Sequence, residues 1–559
     1  MLLFTLCETL YRKFDVLKKA GDSMKKMYYG GKILTMQPES LKDYAAPEAV
    51  IIENGIISHV GTLSELKKYV DEETKLVNLD NKCLMPSFID AHSHVTMDGR
   101  FSLFVNLSKA SSFKDITDML KEHIVEHNLG KDDVLVGFGY DNNFLKEKAQ
   151  PDKRVLDTVS TQIPIVIVHV SAHLACANSK ALEMAGITKD TPDPEGGLIE
   201  RIEGTDEPSG YLEESGMMIV HEKVMAKVGS KESDIMEGVA KNYIAHGVTT
   251  MQDGATLSSD FELLKKMSDQ NKLKVDIVAY PLMPDGGVDL LHNNREYCRK
   301  YKNHLKIGGY KLVLDGSPQG RTAWLTKPYR GGDFGYCGYQ WMNDRDVEKY
   351  IRIAVDENQQ LLTHCNGDAA GDQLLKNYTK VIRETGSEED LRPVMIHCQT
   401  VRNDQLDLMA KLNMIASIFV GHVYYWGDVH VKNFGEERGN RISPVKDALD
   451  RGIHVTFHQD TPVTVPDMLH TVWCAVNRIS RDGVLLGPEE RIDVYDALKA
   501  VTIEAAYEYF EEDSKGTIED GKRADLVILS DSPVEVDSMA IKDIKVMETI
   551  KDGETIYIR

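Results

Sequence analysis

The sequence lacks both a cysteine framework and a long hydrophobic run. Its eight cysteines are scattered, with no C-x-x-C pair and no regular spacing, which suits free thiols in a reducing cytosol better than a secreted disulfide scaffold. The apolar start within residues 1–23 is too short for a membrane span, carries Glu8 and has no basic lead. We therefore expect a cytoplasmic protein in which residues 1–23 are an extension of little functional weight.

An excess of positive charge is also missing. Lys and Arg number 66 against 88 Asp and Glu, so the net charge is −22. This balance argues against a nucleic-acid backbone or an anionic membrane surface as the main partner, and we expect a small-molecule substrate instead. The 559 residues, 42% of them hydrophobic and 28% charged, suit a globular protein with one large and one smaller domain, or with two to four ordinary domains.

The two ends of the chain carry similar hairpin signals. Asn54-Gly55 in "AVIIENGIISHVG" and Asp552-Gly553 in "VMETIKDGETIYIR" each separate two runs of β-forming residues. Just before the second hairpin, "GTIEDGKRADLVILS" indicates further short strands. The simplest interpretation is one small β-sandwich-like domain built from residues 24–85 and 516–559.

The middle of the chain alternates short apolar segments with helix-compatible spacers, the pattern of a parallel α/β structure. The candidate strands are "SFIDAHSH", "GVTTMQD", "LKVDIVAY", "GGYKLVLDG", "QLLTHCNGD", "PVMIHCQ", "MIASIFV" and "HVTFHQD". Eight such units predict an α/β fold, a (β/α)8 TIM barrel over residues 86–515. We interpret residues 100–235, between the first two strands, as a large insertion over the barrel mouth.

Metal-ligating residue types recur at the predicted strand ends, where the active sites of TIM barrels form. The residues concerned are His92 and His94 on the first strand, Lys311 within the fourth, His364 and His397 ending the fifth and sixth, and Asp460 ending the eighth. Residues i and i+2 of a strand project to the same side, so His92 and His94 can bind one ion together. Imidazole and carboxylate ligands suit Zn²⁺ or a similar cation.

Each of these residues also has an ordinary explanation when taken alone. An H-x-H pair is more often incidental than metal-binding, Lys311 would extend its ammonium to water, and Asp460 could be a turn residue in "HQDTP". Asp90 is either a carboxylate that orients an imidazole or a structural acid. The joint placement of the six residues, in order, favours a metal centre.

Several motifs resemble those of the amidohydrolase superfamily, specifically the amidohydrolase 3 branch that includes N-substituted formamide deformylases. These are "MPSFIDAHSHV", "AHLACANSKALEMAGI", "DPEGGLI", "EPSGYLEE", "YKLVLDGSPQGRTAWLTKPY", "THCNGDAA" and "GTIEDGKRADLVIL". The resemblance extends from about residue 24 over nearly the whole chain. Ser87, Ile396, Gln459 and His458 depart from the usual pattern, so the substrate of a relative cannot be transferred to this chain.

The resemblance implies a hydrolase with one or two divalent metal ions, Zn²⁺ or another transition metal, and a dimeric enzyme. It implies that His92 and His94 hold one ion, that His364 and His397 hold the other, that a carboxylated Lys311 bridges them, and that Asp460 is both a ligand and the catalytic proton carrier. A free lysine ammonium would repel the cations, whereas a carbamate is a bridging anion.

The expected reaction is hydrolysis of an amide-like or formamide-like C–N bond of a small molecule by a metal-activated hydroxide. His173, Glu214, Arg321 and His422 are candidates for binding the substrate; each is alternatively a structural residue. A deaminase is the nearest rival, although deaminases of this superfamily commonly place a glutamate where this chain has Gly367. A catalytically silent metal-binding barrel with a regulatory role is the remaining alternative.

Overall fold

The computed structural model of the protein describes residues 25–37, 47–225, 227, 232–331 and 335–559, and its architecture is α/β. The predicted extension over residues 1–23 lies outside the described residues. The seven cysteines in the described part of the chain are free thiols. Within those same ranges, no helix combines the length and apolar character that crossing a membrane requires.

Parallel strands occupy the centre of the molecule in two sheets. The four-stranded sheet contains Phe88–Ile89, Val248–Thr256, Asp276–Pro281 and Leu305–Ile307, and the five-stranded sheet contains Gly309–Val313, Gln360–Cys365, Val394–His397, Ile415–Ile418 and Val455–Phe457. Most of these strands are buried at every position, as expected of parallel strands covered on both faces.

The two central sheets meet at both of their edges. A parallel bridge pairs Leu282 with Lys311 on one side. On the other side, the backbone N–H of Asp460 donates to the carbonyl of His92 (3.2 Å), and that of His94 donates to the carbonyl of Thr461 (2.8 Å). These bonds bring the ends of the first and last central strands together.

Helices follow most of the central strands and cover the outside of the two sheets. They are Val95–Phe101, Glu232–Ala245, Ser258–Asp269, Gly287–Asn293, Asp344–Asp356, Asp368–Thr385, Asn403–Lys411, His422–Phe434, Glu436–Asn440, Val445–Leu449, Met468–Asn477, Val494–Ala500 and Ile503–Glu508. The helix Asp344–Asp356 shows why they form where they do: the side chain of Asn343 accepts a hydrogen bond from the backbone N–H of Asp346 (3.1 Å), and the apolar residues recur on one buried face.

Residues 105–214 form a separate mixed sheet of six strands. In sheet order these are Gly197–Arg201, Pro208–Glu214, Leu174–Ala177, Ile165–His169, Leu135–Tyr140 and Val105–Asn106, accompanied by helices Phe113–His127, Lys153–Asp157, Ser179–Ala185 and Ser215–Met225. Alternate residues along Ile165–His169 belong to two different hydrophobic clusters, so both faces of this sheet are covered. The indole N–H of Trp426 donates to Asp141 (2.8 Å) and links this sheet to the helix His422–Phe434.

Strands from both ends of the chain share a further sheet. Its order is Lys32–Ile33, Cys83–Pro86, Leu526–Leu529, Val546–Lys551 and Glu554–Ile558; a neighbouring sheet contains Ile56–Gly61, Ala49–Glu53, Lys25–Tyr29 and Lys75–Asn78, with helix Leu63–Leu66 beside it. Both predicted hairpins are confirmed, since Asn54, Gly55, Asp552 and Gly553 have positive φ in two-residue turns. The turns also meet: a Cβ on Gly55 would lie 2.8 Å from the carbonyl oxygen of Asp552.

A buried ionic network joins the C-terminal sheet to the central strands. Asp276 accepts hydrogen bonds from the ammonium groups of Lys515 (2.7 Å) and Lys551 (2.6 Å), and its other oxygen lies 2.7 Å from Nδ1 of His304. Lys551 also binds Asp525 (2.7 Å). Although burial opposes ionisation, the two lysines hold the pKa of Asp276 well below its usual value.

Candidate metal centre

His92, His94 and Asp460 converge just beyond the ends of the first and last central strands. The first strand was predicted to include His92 and His94, but it ends at Ile89, and both histidines lie between it and the helix Val95–Phe101. Nε2 of His92 lies 3.5 Å and Nε2 of His94 lies 3.3 Å from Oδ1 of Asp460. One ligand atom from each of the three residues falls within 4.8 Å of the others. Asp460 lies three residues beyond the last strand, which ends at Phe457, and its φ of 55° turns the backbone out of the strand.

Hydrogen bonds to the far side of each ring fix the orientation of these two imidazoles. Nδ1 of His92 lies 2.5 Å from Oε1 of Gln252, and Nδ1 of His94 lies 2.5 Å from the carbonyl oxygen of Gly254. Both oxygens are acceptors, so each Nδ1 carries the proton and each Nε2 presents a lone pair toward Asp460. Gly254 is needed for this approach, because a Cβ there would lie 2.6 Å from Cε1 of His92.

His364 and His397 form a second imidazole pair close to the first. Nδ1 of His364 and Nε2 of His397 are 3.0 Å apart. Nε2 of His364 lies 3.2 Å from the carbonyl oxygen of Gly316 and 3.0 Å from the amide nitrogen of Asn366. Nδ1 of His397 is 3.1 Å from Nε2 of His458, whose other nitrogen lies 3.1 Å from the hydroxyl oxygen of Ser417.

Lys311 completes the set of six predicted ligands. Its Nζ lies 3.1 Å from Nε2 of His92, and the side chain is 1% exposed. Burial lowers the pKa of this amine to about 7, so a large fraction of it is neutral at physiological pH. The structure therefore brings Lys311 to the same place as the first imidazole pair.

The titration behaviour of the histidines suits metal ligands. Burial lowers the pKa of His92, His364 and His397 well below the usual value, and the neighbouring Lys311 lowers the pKa of His92 and His364 further. All three rings are therefore neutral at physiological pH. Neutral imidazole is the form that coordinates a metal ion.

These residues fit a divalent cation. Oδ1 of Asp460 is fully buried and accepts no hydrogen bond from the described residues, while two imidazole lone pairs face it. Lone pairs that converge without a proton repel one another, and a cation between them removes the repulsion. Two nitrogens bound tetrahedrally to one zinc ion would lie about 3.3 Å apart. The separation of 3.0 Å between His364 and His397 is close to this spacing.

Two of the four predicted substrate-binding residues lie next to the second imidazole pair. Nδ1 of His173 is 2.9 Å from Oε2 of Glu214, and its ring centroid is 5.5 Å from that of His364. Oε1 of Glu214 is buried without a hydrogen-bond partner among the described residues. A Cβ at Gly316 would lie 2.1 Å from this oxygen, so the glycine makes room for the carboxylate.

The other two predicted residues contact side chains outside the six predicted ligands. The guanidinium of Arg321 lies over the ring of Tyr329, 5.4 Å from its centroid. His422 contacts His430, with Nδ1 of the first 3.0 Å from Nε2 of the second. Neither residue makes a hydrogen bond to the six predicted ligands within the part of the chain that the structure describes.

Sequence reasoning missed the residue that orients His92. Asp90 was considered as the carboxylate that orients an imidazole, but Gln252 makes the contact to the His92 ring. The Asp90 carboxylate instead accepts the backbone N–H of His92 (3.3 Å). Gln252 in turn donates through Nε2 to the carbonyl of Ala91 (2.6 Å) and to the Tyr509 hydroxyl (3.0 Å). The available signal was its position in "GVTTMQD", the predicted second strand.

Asp315 was also missed, although it belongs to the "DGS" block that carries the resemblance. Its carboxylate accepts the backbone N–H groups of Asn366 (3.0 Å), Gly367 (2.7 Å) and Trp324 (2.9 Å). Burial nevertheless raises the pKa of Asp315 to about 7. The residue fixes the loop that follows His364.

Comparison with known proteins identifies the family. The amidohydrolase family model matches residues 75–557. The chain belongs to the amidohydrolase family. The resemblance found in the sequence is thereby confirmed.

Among the relatives of this amidohydrolase, the protein YtcJ of Bacillus subtilis (strain 168) is 27% identical over 96% of this chain and 99% of its own. The N-substituted formamide deformylase of Arthrobacter pascens is 25% identical over 92% and 95% of the two chains. An uncharacterized metal-dependent hydrolase from Pyrococcus horikoshii OT3 shares the fold, with a TM-score of 0.73 at 24% identity over 92% of this chain and 99% of that one. Family membership supports a hydrolase that acts on C–N bonds and uses a divalent metal ion.

Proposed function

We propose that this amidohydrolase hydrolyses the C–N bond of an amide-like or formamide-like small molecule at the centre formed by His92, His94 and Asp460. The observation that carries the proposal is the buried Oδ1 of Asp460, which two oriented imidazole nitrogens face without a proton between them. Similarity to the formamide deformylase agrees with this class of substrate.

In the proposed centre, His92, His94 and Asp460 hold one Zn²⁺ or similar ion, and His364 with His397 holds a second. When bound, the metal acidifies water and polarises a carbonyl group. Asp460 accepts the proton of the attacking water and delivers it to the departing nitrogen. His173, held by Glu214, donates a hydrogen bond to the substrate. Arg321 and His422 are further candidates for contacting the substrate.

We propose that Lys311 is carboxylated. The unprotonated fraction of its buried amine adds to CO₂: a bond forms between Nζ and carbon, one proton leaves Nζ, and the product is a carbamate anion. The anion would bridge two cations where an ammonium would repel them. Incubation with ¹³C-bicarbonate followed by ¹³C NMR should show a carbamate signal that the Lys311→Met variant lacks, and equal spectra would contradict the proposal.

The experiment that tests the function combines metal analysis with screening of N-formyl and N-acyl compounds. We expect one or two transition-metal equivalents per chain and hydrolysis of a subset of the panel. His92→Asn should lose bound metal, and Asp460→Asn should reduce turnover about 10²–10⁴-fold because the proton carrier is gone. The matched control is His127→Asn, since His127 is exposed and outside the centre. A metal-free protein that is indifferent to His92→Asn would contradict the proposal.

Deamination is disfavoured because the position at which related deaminases carry a glutamate is Gly367 here, and there is no room for a side chain at Gly367. A Cβ at this position would lie 1.8 Å from the carbonyl oxygen of Trp324, so a glutamate cannot be accommodated there without moving backbone. The next acid, Asp368, is engaged elsewhere: its carboxylate accepts the backbone N–H of Thr326 (2.8 Å) and contacts Arg402 (3.2 Å). We therefore propose hydrolysis rather than deamination. If the protein binds metal but hydrolyses no compound of the panel, the screen would favour the catalytically silent alternative.

We propose the following organisation for the whole chain. The two central parallel sheets form a (β/α)8 barrel over residues 86–515, in which the adjoining strands Leu305–Ile307 and Gly309–Val313 count as one. The sheet within residues 100–235 covers its mouth, and residues 24–85 with 516–559 form the small β domain. A cytoplasmic location and a homodimer remain proposals from the sequence and the family resemblance. Size-exclusion chromatography with light scattering would test the dimer.

A further inference from the structure

His422 and His430 form a buried pair outside the proposed ligand set. Both belong to the helix His422–Phe434, which follows the seventh of the proposed barrel strands. Nδ1 of His422 and Nε2 of His430 are 3.0 Å apart, and the two side chains are 3% and 0% exposed. One of these two nitrogens must donate a proton to the other.

The surroundings of His430 decide which nitrogen is the donor. Its other nitrogen, Nδ1, is sealed from solvent and has no partner among the described residues. A buried N–H without an acceptor is rarer than an unused acceptor, because the donor loses its hydrogen bond to water and gains nothing. Burial also lowers the pKa of His430 to about 3, so the ring carries one proton only. That proton therefore lies on Nε2 and is donated to His422.

This assignment fixes the tautomer of His422. Burial lowers the pKa of His422 well below the usual value, so this ring is also neutral. Because its Nδ1 accepts the proton of His430, its own proton lies on Nε2. Nε2 has no hydrogen-bond partner within the described ranges, and it is not one of the fully sealed atoms. His422 consequently presents an unused N–H donor.

Successive ring contacts connect His422 to the metal centre. The ring of His422 stands edge-on to Phe419, with centroids 4.7 Å apart, and Phe419 lies 5.5 Å from the ring of His458. His458 in turn contacts His397. The carboxylate of Asp460 is among the charges that act on His422.

We propose that His430 is a positioning residue that holds His422 as the Nε2–H tautomer, so that His422 donates a hydrogen bond to the substrate carbonyl oxygen as negative charge develops on it. The role of His422 toward substrate rests on the proposed hydrolase function. The tautomer itself does not, because it follows from contacts between the two rings. A donor that is oriented before the reaction stabilises developing charge without reorganisation.

The first test needs no activity. In the zinc-loaded full-length protein labelled with ¹⁵N-histidine, His422 is identified by the signals that disappear in His422→Gln. We expect Nε2 of His422 to carry the proton and Nδ1 to be unprotonated. Protonation of Nδ1 in the wild-type protein, or an equal mixture of the two tautomers, would overturn the proposal.

The second test compares His430→Phe with His430→Gln. Phenylalanine keeps the stacking on Phe434 but removes the donor, whereas glutamine retains an N–H that can reach His422. We expect kcat to fall about 10–100-fold in His430→Phe with KM little changed, and to recover to within about threefold of wild type in His430→Gln. The matched control is His127→Gln.

The outcomes of the two tests separate the inference from the proposed function. Wild-type kcat in His430→Phe, or equal losses in both His430 variants, would overturn the role of His430 toward substrate. A wild-type protein that hydrolyses nothing in the panel would refute the proposed function, while the ¹⁵N measurement would still decide the tautomer of His422.

Discussion

At the scale of single residues, Gln252 determines what His92 can do. The Gln252 amide is fixed by two donations, to the carbonyl of Ala91 and to the hydroxyl of Tyr509, so its oxygen has to face the imidazole. The resulting Nδ1–H bond leaves the lone pair on Nε2, which faces Asp460 and Lys311. Gln252 is not a proposed metal ligand, yet it determines which nitrogen of the ligand His92 is available to a metal ion.

Replacement of Gln252 by leucine should weaken metal binding. Leucine is similar in size but cannot accept the Nδ1–H of His92, so the ring loses its fixed tautomer and orientation. We expect about 10–100-fold lower metal affinity, measured by metal content after dialysis against graded chelator concentrations. The control is Gln405→Leu, which removes another buried glutamine whose contacts lie on Asp368 and Asp372. Equal metal retention in the two variants would contradict this role.

The sequence predicted the residues that converge on the centre but not those that orient them. His92 and His94 stand out because their i, i+2 spacing is a local signal, although the strand alternation that suggested it ends at Ile89 and tertiary contacts position the two rings. The bond from Gln252 to His92 spans 160 positions, and the bonds of Asp315 depend on a loop conformation about 50 positions away. Such contacts depend on tertiary packing, whereas the hydrophobic periodicity of the sequence predicts only local helices and strands.

At the scale of the elements, the buried acid Asp276 joins a central strand to the C-terminal sheet. The Asp276→Asn variant should lose roughly 1.5–3 kcal/mol of unfolding free energy, because Lys515 and Lys551 lose their shared counter-charge and keep only Glu511 and Asp525 as partners. Urea denaturation followed by circular dichroism measures this loss. Glu207→Gln, which breaks an exposed ion pair with Lys153, should leave the midpoint nearly unchanged. A similarly small effect of Asp276→Asn would show that the network contributes little.

Element prediction succeeded where the signal was local. Both hairpins were found because Asn-Gly and Asp-Gly supply two consecutive residues with positive φ at little cost. The last central strand was predicted to continue to Asp460, but it ends at Phe457. The backbone of Asp460 has positive φ and donates to the carbonyl of His92, so contacts with the first strand end the last one early.

At the scale of the whole molecule, burial makes stability depend on pH through Glu508. Burial raises the pKa of this carboxyl to about 8, whereas the unfolded chain has its ordinary value near 4.5. Between these two pH values the unfolded chain has released the proton that the folded protein still holds. The free energy of unfolding therefore falls as pH rises from about 4.5 to about 8.

Replacement of Glu508 by glutamine should remove this component of the pH dependence. Glutamine keeps an acceptor for the hydroxyl of Thr456 and carries no charge. We expect Glu508→Gln to melt at a higher temperature than the wild type at pH 8.5 and at nearly the same temperature at pH 4.5. The exposed Glu388→Gln serves as the control. If the difference in melting temperature between Glu508→Gln and the wild type were the same at pH 4.5 and pH 8.5, the raised pKa of Glu508 would be contradicted.

The central claim concerns the metal centre, and anomalous diffraction from crystals of the zinc-loaded protein tests it most directly. We expect a peak at the zinc edge about 2.0–2.2 Å from Nε2 of His92, Nε2 of His94 and a carboxylate oxygen of Asp460. A second peak is expected between Nδ1 of His364 and Nε2 of His397. The absence of a peak at the first position, with Oδ1 of Asp460 hydrogen-bonded to protein or water instead, would contradict the account.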